Sequence, residues 1–237
     1  MIKDFKSEIL NNYKYKTELH AHTLPVSRCS EFYADELVER YAKLGVDTIV
    51  VANHLTPYHF EQYGKEALIK EYLKAYDDLK RAAEPFGISA IMGVELRFSE
   101  NINDYLVFGV KEDELSVLCD SLYNGIESFY KSFKREGVLI FQAHPKRDKM
   151  EEVDAAYLDG YEAFNLHPGH NSRISIAARE AAARNLKVIG GTDFHHPNHE
   201  GGCLLLSKEK IRDSETLVSL IESGDYALLI GGSVVLP

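Results

Sequence analysis

Seven residues with metal-ligand chemistry are spread through this chain: His20, His22, His54, Glu95, His144, Asp193 and His195. The first two lie in Glu18-Leu19-His20-Ala21-His22-Thr23. Side chains of an extended strand alternate between faces, so Glu18, His20 and His22 point the same way and the two imidazoles can converge on one ion. Five imidazoles with two carboxylates suit borderline divalent ions such as Mn, Zn or Fe(II), whereas Ca and Mg prefer all-oxygen cages. One catalytic zinc needs only about three protein ligands, so this set implies two or three divalent ions, with Glu95 bridging. Paired ions about 3.5–4 Å apart activate water and clamp the oxygens of an in-line displacement at phosphorus. The chemistry expected is hydrolysis of a phosphate ester by metal-activated hydroxide at a di- or trinuclear site.

Residues so far apart in sequence meet only if the fold gathers them. Short β-branched runs alternate here with amphipathic helical segments, a pattern that predicts an α/β protein with a parallel sheet. Predicted helices cover about 32–44, 66–83, 114–135 with a break near Gly125, a segment ending near 184, and 215–223. Strands are expected at 47–52, 89–94, 105–110, 138–143, 160–164, 187–191, 203–206 and 226–230. Most of the seven ligands follow one of these strands. In a parallel barrel the carboxyl ends of the strands share one face, and chemistry is placed there. Tyr33, Tyr41, Tyr72 and Tyr76 fall at helical spacings and are expected in the core. No repeat, low-complexity tract or linker divides the chain, so residues 1–237 read as a single domain.

Charge and cysteine content narrow the partners. With 27 basic and 37 acidic residues the formal net charge is −10, which disfavours stable binding to duplex nucleic acid and favours a small substrate. Three cysteines, Cys29, Cys119 and Cys203, have no framework spacing, as expected of free thiols in a reducing, cytoplasmic compartment. The charged start Met1-Ile2-Lys3-Asp4-Phe5-Lys6 lacks the apolar stretch of a signal peptide, and the apolar tail from Tyr226 is too short to cross a bilayer.

A phosphorylated substrate needs cationic groups beyond the ions, and arginine binds phosphate oxygens bidentately. Arg28, Arg97, Lys146, Arg147 and Arg173 lie in loops that follow ligand-bearing strands. Arg173, in a loop dense in His, Asn and Ser, and Arg147, just after His144, are the preferred pair. His170, with His167 beside it, is the candidate acid for the leaving group. His59, His196 and His199 read as ordinary surface residues, and Cys29 as a small packing residue of its loop.

Four blocks taken together resemble the PHP family, named for polymerase and histidinol phosphatase domains: Glu18-Leu19-His20-Ala21-His22-Thr23; Ala52-Asn53-His54; Gly93-Val94-Glu95 with Ala143-His144-Pro145; and Gly191-Thr192-Asp193-Phe194-His195. The resemblance spans nearly the whole chain. It implies a distorted TIM-like (β/α)7 barrel, a cluster of two or three metal ions and, usually, phosphoesterase activity; with the acidic charge, the expected substrate is a small phosphorylated metabolite or short nucleotide. Three positions depart from the family pattern. Glu18 stands where the family often has Asp; the loop after His22 offers Ser27, Arg28 and Cys29 where many members have an Asp that helps hold a third ion; and Asp104 stands where a histidine is common. The alternatives are an amidohydrolase-type metal hydrolase, which also opens with His-x-His, and a non-catalytic metal-binding module.

Overall fold

The computed structural model describes residues 4–237, so the first three residues of the charged start lie outside it. Helix α1 (Phe5–Asn12) opens the described chain, capped by the Asp4 carboxylate. Strand β1 (Tyr15–Ala21) follows and carries the first ligand. Helix α2 (Ala34–Lys43) has Leu37, Val38 and Tyr41 on its buried stripe, while Tyr33 stands at its amino-terminal cap and is exposed. Of the four tyrosines expected in the core, Tyr41 and Tyr72 are fully buried and Tyr76 packs at its edge; Tyr33 is the exception, because a capping position precedes the apolar stripe.

Strands β2 (Thr48–Val51) and β3 (His54–Leu55) are two halves of one path interrupted at Ala52-Asn53. The same break divides β4 (Ser89–Met92) from β5 (Val94–Arg97) at Gly93. Between these paths lie α3 (Pro57–Tyr63) and α4 (Lys65–Ala83). Then come β6 (Asp104–Phe108), α5 (Leu115–Ser121), α6 (Gly125–Phe133), β7 (Leu139–Gln142), β8 (Gly160–Asn165), α7 (Ile174–Ala183) and β9 (Lys187–Gly191). The chain closes with β10 (Cys203–Ser207), α8 (Ser214–Ser223), β11 (Ala227–Ile230) and β12 (Ser233–Val235). No helix among the described residues is long and apolar enough to cross a membrane.

The strands form two six-stranded sheets, ordered β12-β11-β10-β1-β2-β4 and β3-β5-β6-β7-β8-β9. Each broken path therefore crosses from the first sheet to the second. Backbone hydrogen bonds carry the pairing over the breaks: Ala52 N–H donates to Ala21 O at 2.8 Å, and Glu95 N–H to Asn53 O at 3.1 Å. A parallel bridge between Ala21 and Phe194 ties the end of β1 to the segment leaving β9. These crossings turn the ends of β1, β3, β5 and β9 toward one place.

The expected all-parallel arrangement is only partly realised. Pairing is parallel in β1-β2-β4 and β7-β8-β9 but antiparallel for β5-β6-β7 and β1-β10-β11-β12. The reason is local. Residues 98–103 between β5 and β6 contain no helix, and a parallel return needs a crossover of a dozen or more residues.

Apolar side chains fill both sides of the sheets. Leu19, Val50, Leu106, Phe108, Phe141, Ile189 and Leu205 make one cluster, and Phe98, Tyr105, Leu118 and Phe129 belong to another that covers the second sheet. Strand packing is tightest at Gly160, where a Cβ would lie 2.3 Å from both Lys187 O and the Phe141 ring. Gly160→Ala is expected to cost about 1–3 kcal/mol through forced shifts of β7 and β9, read as a lower urea midpoint at unchanged m-value.

Candidate metal centre

Glu95 sits at the centre of the convergent strand ends, almost wholly inaccessible to solvent. One carboxylate oxygen lies 3.4 Å from His20 Nε2 and 3.2 Å from His144 Nε2. The other lies 2.7 Å from His54 Nδ1 and 3.4 Å from His22 Nε2. Asp193 closes the opposite side, with Oδ1 3.3 Å from His22 Nε2, 3.6 Å from His20 Nε2 and 3.3 Å from His195 Nδ1. All seven residues singled out by their place after strands are thus brought together.

Three groups within this cluster have donor atoms close enough to share an ion: His22, His54 and His195; His20, His22 and Glu95; and Glu95, Asp104 and His144. Several buried ligand atoms make no well-directed hydrogen bond among the described residues: His20 Nε2, His22 Nε2, His54 Nδ1, Glu95 Oε2 and His144 Nδ1, the shortest contact between them being the 2.7 Å from His54 Nδ1 to Glu95 Oε2. A buried polar atom left unpaired costs about 1–3 kcal/mol, and four of these, His20 Nε2, His22 Nε2, His54 Nδ1 and Glu95 Oε2, face one another as ligands of divalent ions would. The donor chemistry and the orphaned atoms fit divalent transition metals.

Backbone geometry supports the same conclusion. His144 and Asp193 both adopt left-handed conformations, with φ of 33° and 54°. Such a conformation costs a non-glycine residue about 1–2 kcal/mol, and strain of this kind collects where a side chain must be aimed.

A second layer of side chains orients the imidazoles. Glu162, fully buried on β8, approaches His20 Nδ1 at 2.8 Å, which turns His20 Nε2 into the site. Its other oxygen accepts from the His144 N–H at 3.1 Å and from Asn165 Nδ2 at 3.0 Å, and the same amide reaches Asp193 Oδ2 at 3.2 Å. Ser27 Oγ is 3.1 Å from His22 Nδ1, donates to Asn53 Oδ1 at 2.9 Å and accepts from the His54 N–H at 3.0 Å. Glu18 is taken up by other partners: it accepts from the backbone N–H of His20 at 2.9 Å and of Thr192 at 3.0 Å, and from the Tyr41 hydroxyl at 2.7 Å. The shared face expected for Glu18, His20 and His22 therefore serves two purposes. Gly191 leaves room for this layer, since a Cβ there would fall 2.5 Å from His20 Cβ and from Glu162 Oε1.

Burial and charge set the protonation of the cluster. Burial opposes the charge on His20, yet Glu162, Asp193 and Glu95 together raise its pKa well above the usual imidazole value. His54 is likewise raised against the effect of burial, chiefly by Glu95. His22 goes the other way, held well below by burial and by the neighbouring His195 and His54. For Glu95 and Asp193 burial favours the neutral acid, but His54 and His20 around the first, and His20 with His170 and His22 around the second, hold both well below the carboxylate range.

A cavity of about 280 Å³ opens onto the cluster, lined by Glu95, Asp193 and His195 with Arg97, Arg147 and His170 among others. Asp104 organises its cationic wall. Arg97 donates to both oxygens of Asp104 at 2.7 Å, Arg147 approaches Oδ2 at 3.4 Å, and His144 Nε2 lies 3.7 Å from the same oxygen. His170 faces the cavity with Nδ1 3.4 Å from Asp193 Oδ2.

Arg173, expected beside Arg147, is not among the lining residues. Its guanidinium is held by Lys146 O and the Asp148 carboxylate on the exposed surface. A loop position rich in polar residues did not ensure an inward side chain. His59, expected at the surface, is instead on the buried face of α3, hydrogen-bonded to Thr56 Oγ1 at 3.0 Å, and burial lowers its pKa to about 4. Glu162 and Asp104 were not among the sequence-predicted ligands. A lone charge inside the otherwise apolar run Gly160–Phe164 was the available signal for Glu162, since such residues are almost never buried without a partner.

The sequence matches no family model and no curated protein. Its fold does match solved structures. A two-domain protein of Bacteroides vulgatus that contains a PHP-like metal-dependent phosphoesterase aligns over 91% of this chain at 18% identity, with a TM-score of 0.67. This chain has a PHP-type fold. It spans 64% of the length of that Bacteroides protein. An amidohydrolase of Chromobacterium violaceum, solved with bound sulfate, aligns over 86% of this chain and 96% of its own at 14% identity and a TM-score of 0.56. A candidate metal-dependent phosphoesterase of Bifidobacterium adolescentis aligns over 86% and 95% at 17% identity and a TM-score of 0.50.

Two outcomes follow for metal binding. Glu162→Gln should weaken it by about 10–100-fold, because the carboxylate that fixes the His20 tautomer is lost; titration with Zn or Mn followed by elemental analysis measures this. Raised pKa values keep His20 and His54 protonated near neutrality in the ion-free protein, so loading must displace protons and apparent affinity must rise with pH. Calorimetry in buffers of different ionisation enthalpy counts the protons released.

Proposed function

We propose that this protein is a metal-dependent phosphoesterase acting on a small phosphorylated metabolite or short nucleotide. The observation that carries the proposal is the cavity in which two guanidinium groups, Arg97 and Arg147, face the buried ligand cluster around Glu95. Cationic forks next to metal ligands match a substrate whose reacting group is itself a multivalent anion. The acidic chain as a whole supports a small substrate over duplex nucleic acid. The unpaired state of all three cysteines fits a reducing, cytoplasmic setting. We read the two sheets, linked by the Ala21–Phe194 bridge, as a distorted TIM-like barrel of about seven units.

Two or three divalent ions of Mn, Zn or Fe, held by His20, His22, His54, Glu95, His144, Asp193 and His195, would supply Lewis acidity and a water of lowered pKa. The chain's own residues do the rest. Glu95 presents one oxygen toward His20 and His144 and the other toward His54 and His22, the arrangement of a bridging carboxylate. Asp104 pins Arg97 so that its remaining N–H groups meet phosphoryl oxygens in a fixed orientation, and Arg147 adds a second set of donors. Both oppose the charge that builds on the phosphoryl group in the transition state. His170, its Nδ1 directed at Asp193, can hold a proton for the departing oxygen. Arg97 takes the place first assigned to Arg173.

The Chromobacterium neighbour makes an amidohydrolase the second candidate, and one assay separates the two. Generic phosphate mono- and diesters and a panel of amides and lactones are offered to the metal-loaded protein and to Asp193→Ala, Arg97→Ala and Arg147→Ala. Phosphate release should be abolished by Asp193→Ala and lowered by about 10²–10³ in kcat/KM by each arginine change, the scale of losing one charge-stabilising donor. Turnover of amides without phosphate release would overturn the phosphoesterase assignment.

A further inference from the structure

Arg173 does not line the cavity, yet both hydrogen bonds of its guanidinium go to the segment that carries Arg147. Nη1 donates to Lys146 O at 2.7 Å and Nη2 to the Asp148 carboxylate, one partner on either side of Arg147. The Lys146 side chain turns to the same helix, its ammonium donating to Glu180 of α7 at 2.8 Å. On the inner side the Arg147 N–H donates to the carbonyl of the ligand His144 at 2.9 Å. Arg147 is thus the inward residue of a loop whose outer edge is fastened to α7.

The second observation concerns Arg147 itself. Among the described residues its guanidinium meets one carboxylate, Asp104 Oδ2 at 3.4 Å, whereas Arg97 takes both oxygens of Asp104 at 2.7 Å. A long side chain with so slight a hold keeps most of its rotamer freedom, so where it points depends on how its backbone is fixed. Arg173 is well placed to fix it. Beside it, Ser172 Oγ donates to Asn165 Oδ1 at 3.2 Å, and the Asn165 amide reaches both Glu162 and Asp193. Arg173 then caps α7 in a left-handed conformation, with φ of 45°, which a residue with a Cβ adopts only when its surroundings impose it. One end of this segment is rooted in the layer that orients the ligands, and the other grips the loop of Arg147.

We propose that Arg173 is a positioning residue, a clamp that joins residues 146–148 to the loop of residues 166–173 and so keeps Arg147 turned into the cavity as a phosphate contact. The proposal rests on the reading of Arg147 as a ligand of the phosphoryl group, and it adds a residue that touches no substrate. The clamp also makes one wall of the two loops that carry Arg147 and His170. Its ion pair with Asp148 lies at the surface, where such pairs add little to stability. Its effect is on orientation.

Phosphate binding tests this without reference to turnover. The full-length protein loaded with manganese is titrated with inorganic phosphate by calorimetry, as the parent, Arg147→Ala, Arg173→Ala, Arg173→Lys, Asp148→Ala and the double variant Arg147→Ala/Arg173→Ala. Metal content and urea midpoint are measured for each. Arg173→Ala should weaken phosphate binding about tenfold at unchanged metal content, a coupling of the size found within one hydrogen-bonded network, and Arg173→Lys should recover part of the loss. In the Arg147→Ala background the same change should alter affinity less than about twofold, because the residue it positions is gone. Asp148→Ala separates grip from charge: loss of the clamp weakens phosphate binding, whereas removal of a negative charge would by itself strengthen it. Parent-like affinity in Arg173→Ala, an equal loss in both backgrounds, or tighter binding by Asp148→Ala would overturn the clamp and leave the phosphate reading of Arg147 standing. A parent protein that binds no phosphate, or an Arg147→Ala variant that binds it as tightly as the parent, would overturn both.

Discussion

A carboxylate cannot be buried in this fold without compensation, and Glu95 is buried. Taking an ion of that size out of water costs several kcal/mol even after the protein relaxes. The cost is met by four imidazoles drawn from three separate strand ends, those of β1, β3 and β7. The breaks at Ala52-Asn53 and Gly93 steer His54 and Glu95 out of the first sheet and into the second. Left-handed turns at His144 and Asp193 aim the last two directions. Removing any one support leaves a charge facing another orphaned donor, so the centre holds together as a unit.

The same economy shows in the second layer. Glu162 orients His20, caps the backbone of His144 and, through Asn165, reaches Asp193, so one buried side chain ties three ligands to β8. Asp104 does comparable work on the substrate side, sharing one carboxylate among Arg97, Arg147 and His144. Polar networks in a low-dielectric interior reward full satisfaction and punish partial satisfaction.

Much of this could be read from the sequence. The positions of His20, His22, His54, His144, Asp193 and His195 after apolar runs, and of Glu95 after the run that begins at Ser89, were sufficient to predict that they meet. Helix stripes such as Leu37, Val38 and Tyr41 were equally legible, because burial imposes a period that composition reveals. Three kinds of feature were not. Helix α3 went unread although Thr56-Pro57 carries a cap and a proline at the first helical position, since its apolar stripe is too short to register. The antiparallel turn from β5 to β6 depends on what residues 98–103 lack, and an absence leaves little trace in a period. The inward or outward course of Arg97 and Arg173 is set by a single partner each, Asp104 and Asp148, and no pattern in one sequence distinguishes them.

The reversal of β6 has a consequence for how such centres are recognised. Strands β1, β7 and β9 offer the site what lies at or beyond their carboxyl ends. Strand β6 runs against β5 and β7 and so presents its amino end, which is why Asp104 is the first residue of its strand and does not follow it. The loop that would normally accompany a ligand of this kind is therefore on the far side of the protein. Where one strand of a mixed sheet is entered without a helix, the missing member of a ligand set should be sought in front of it.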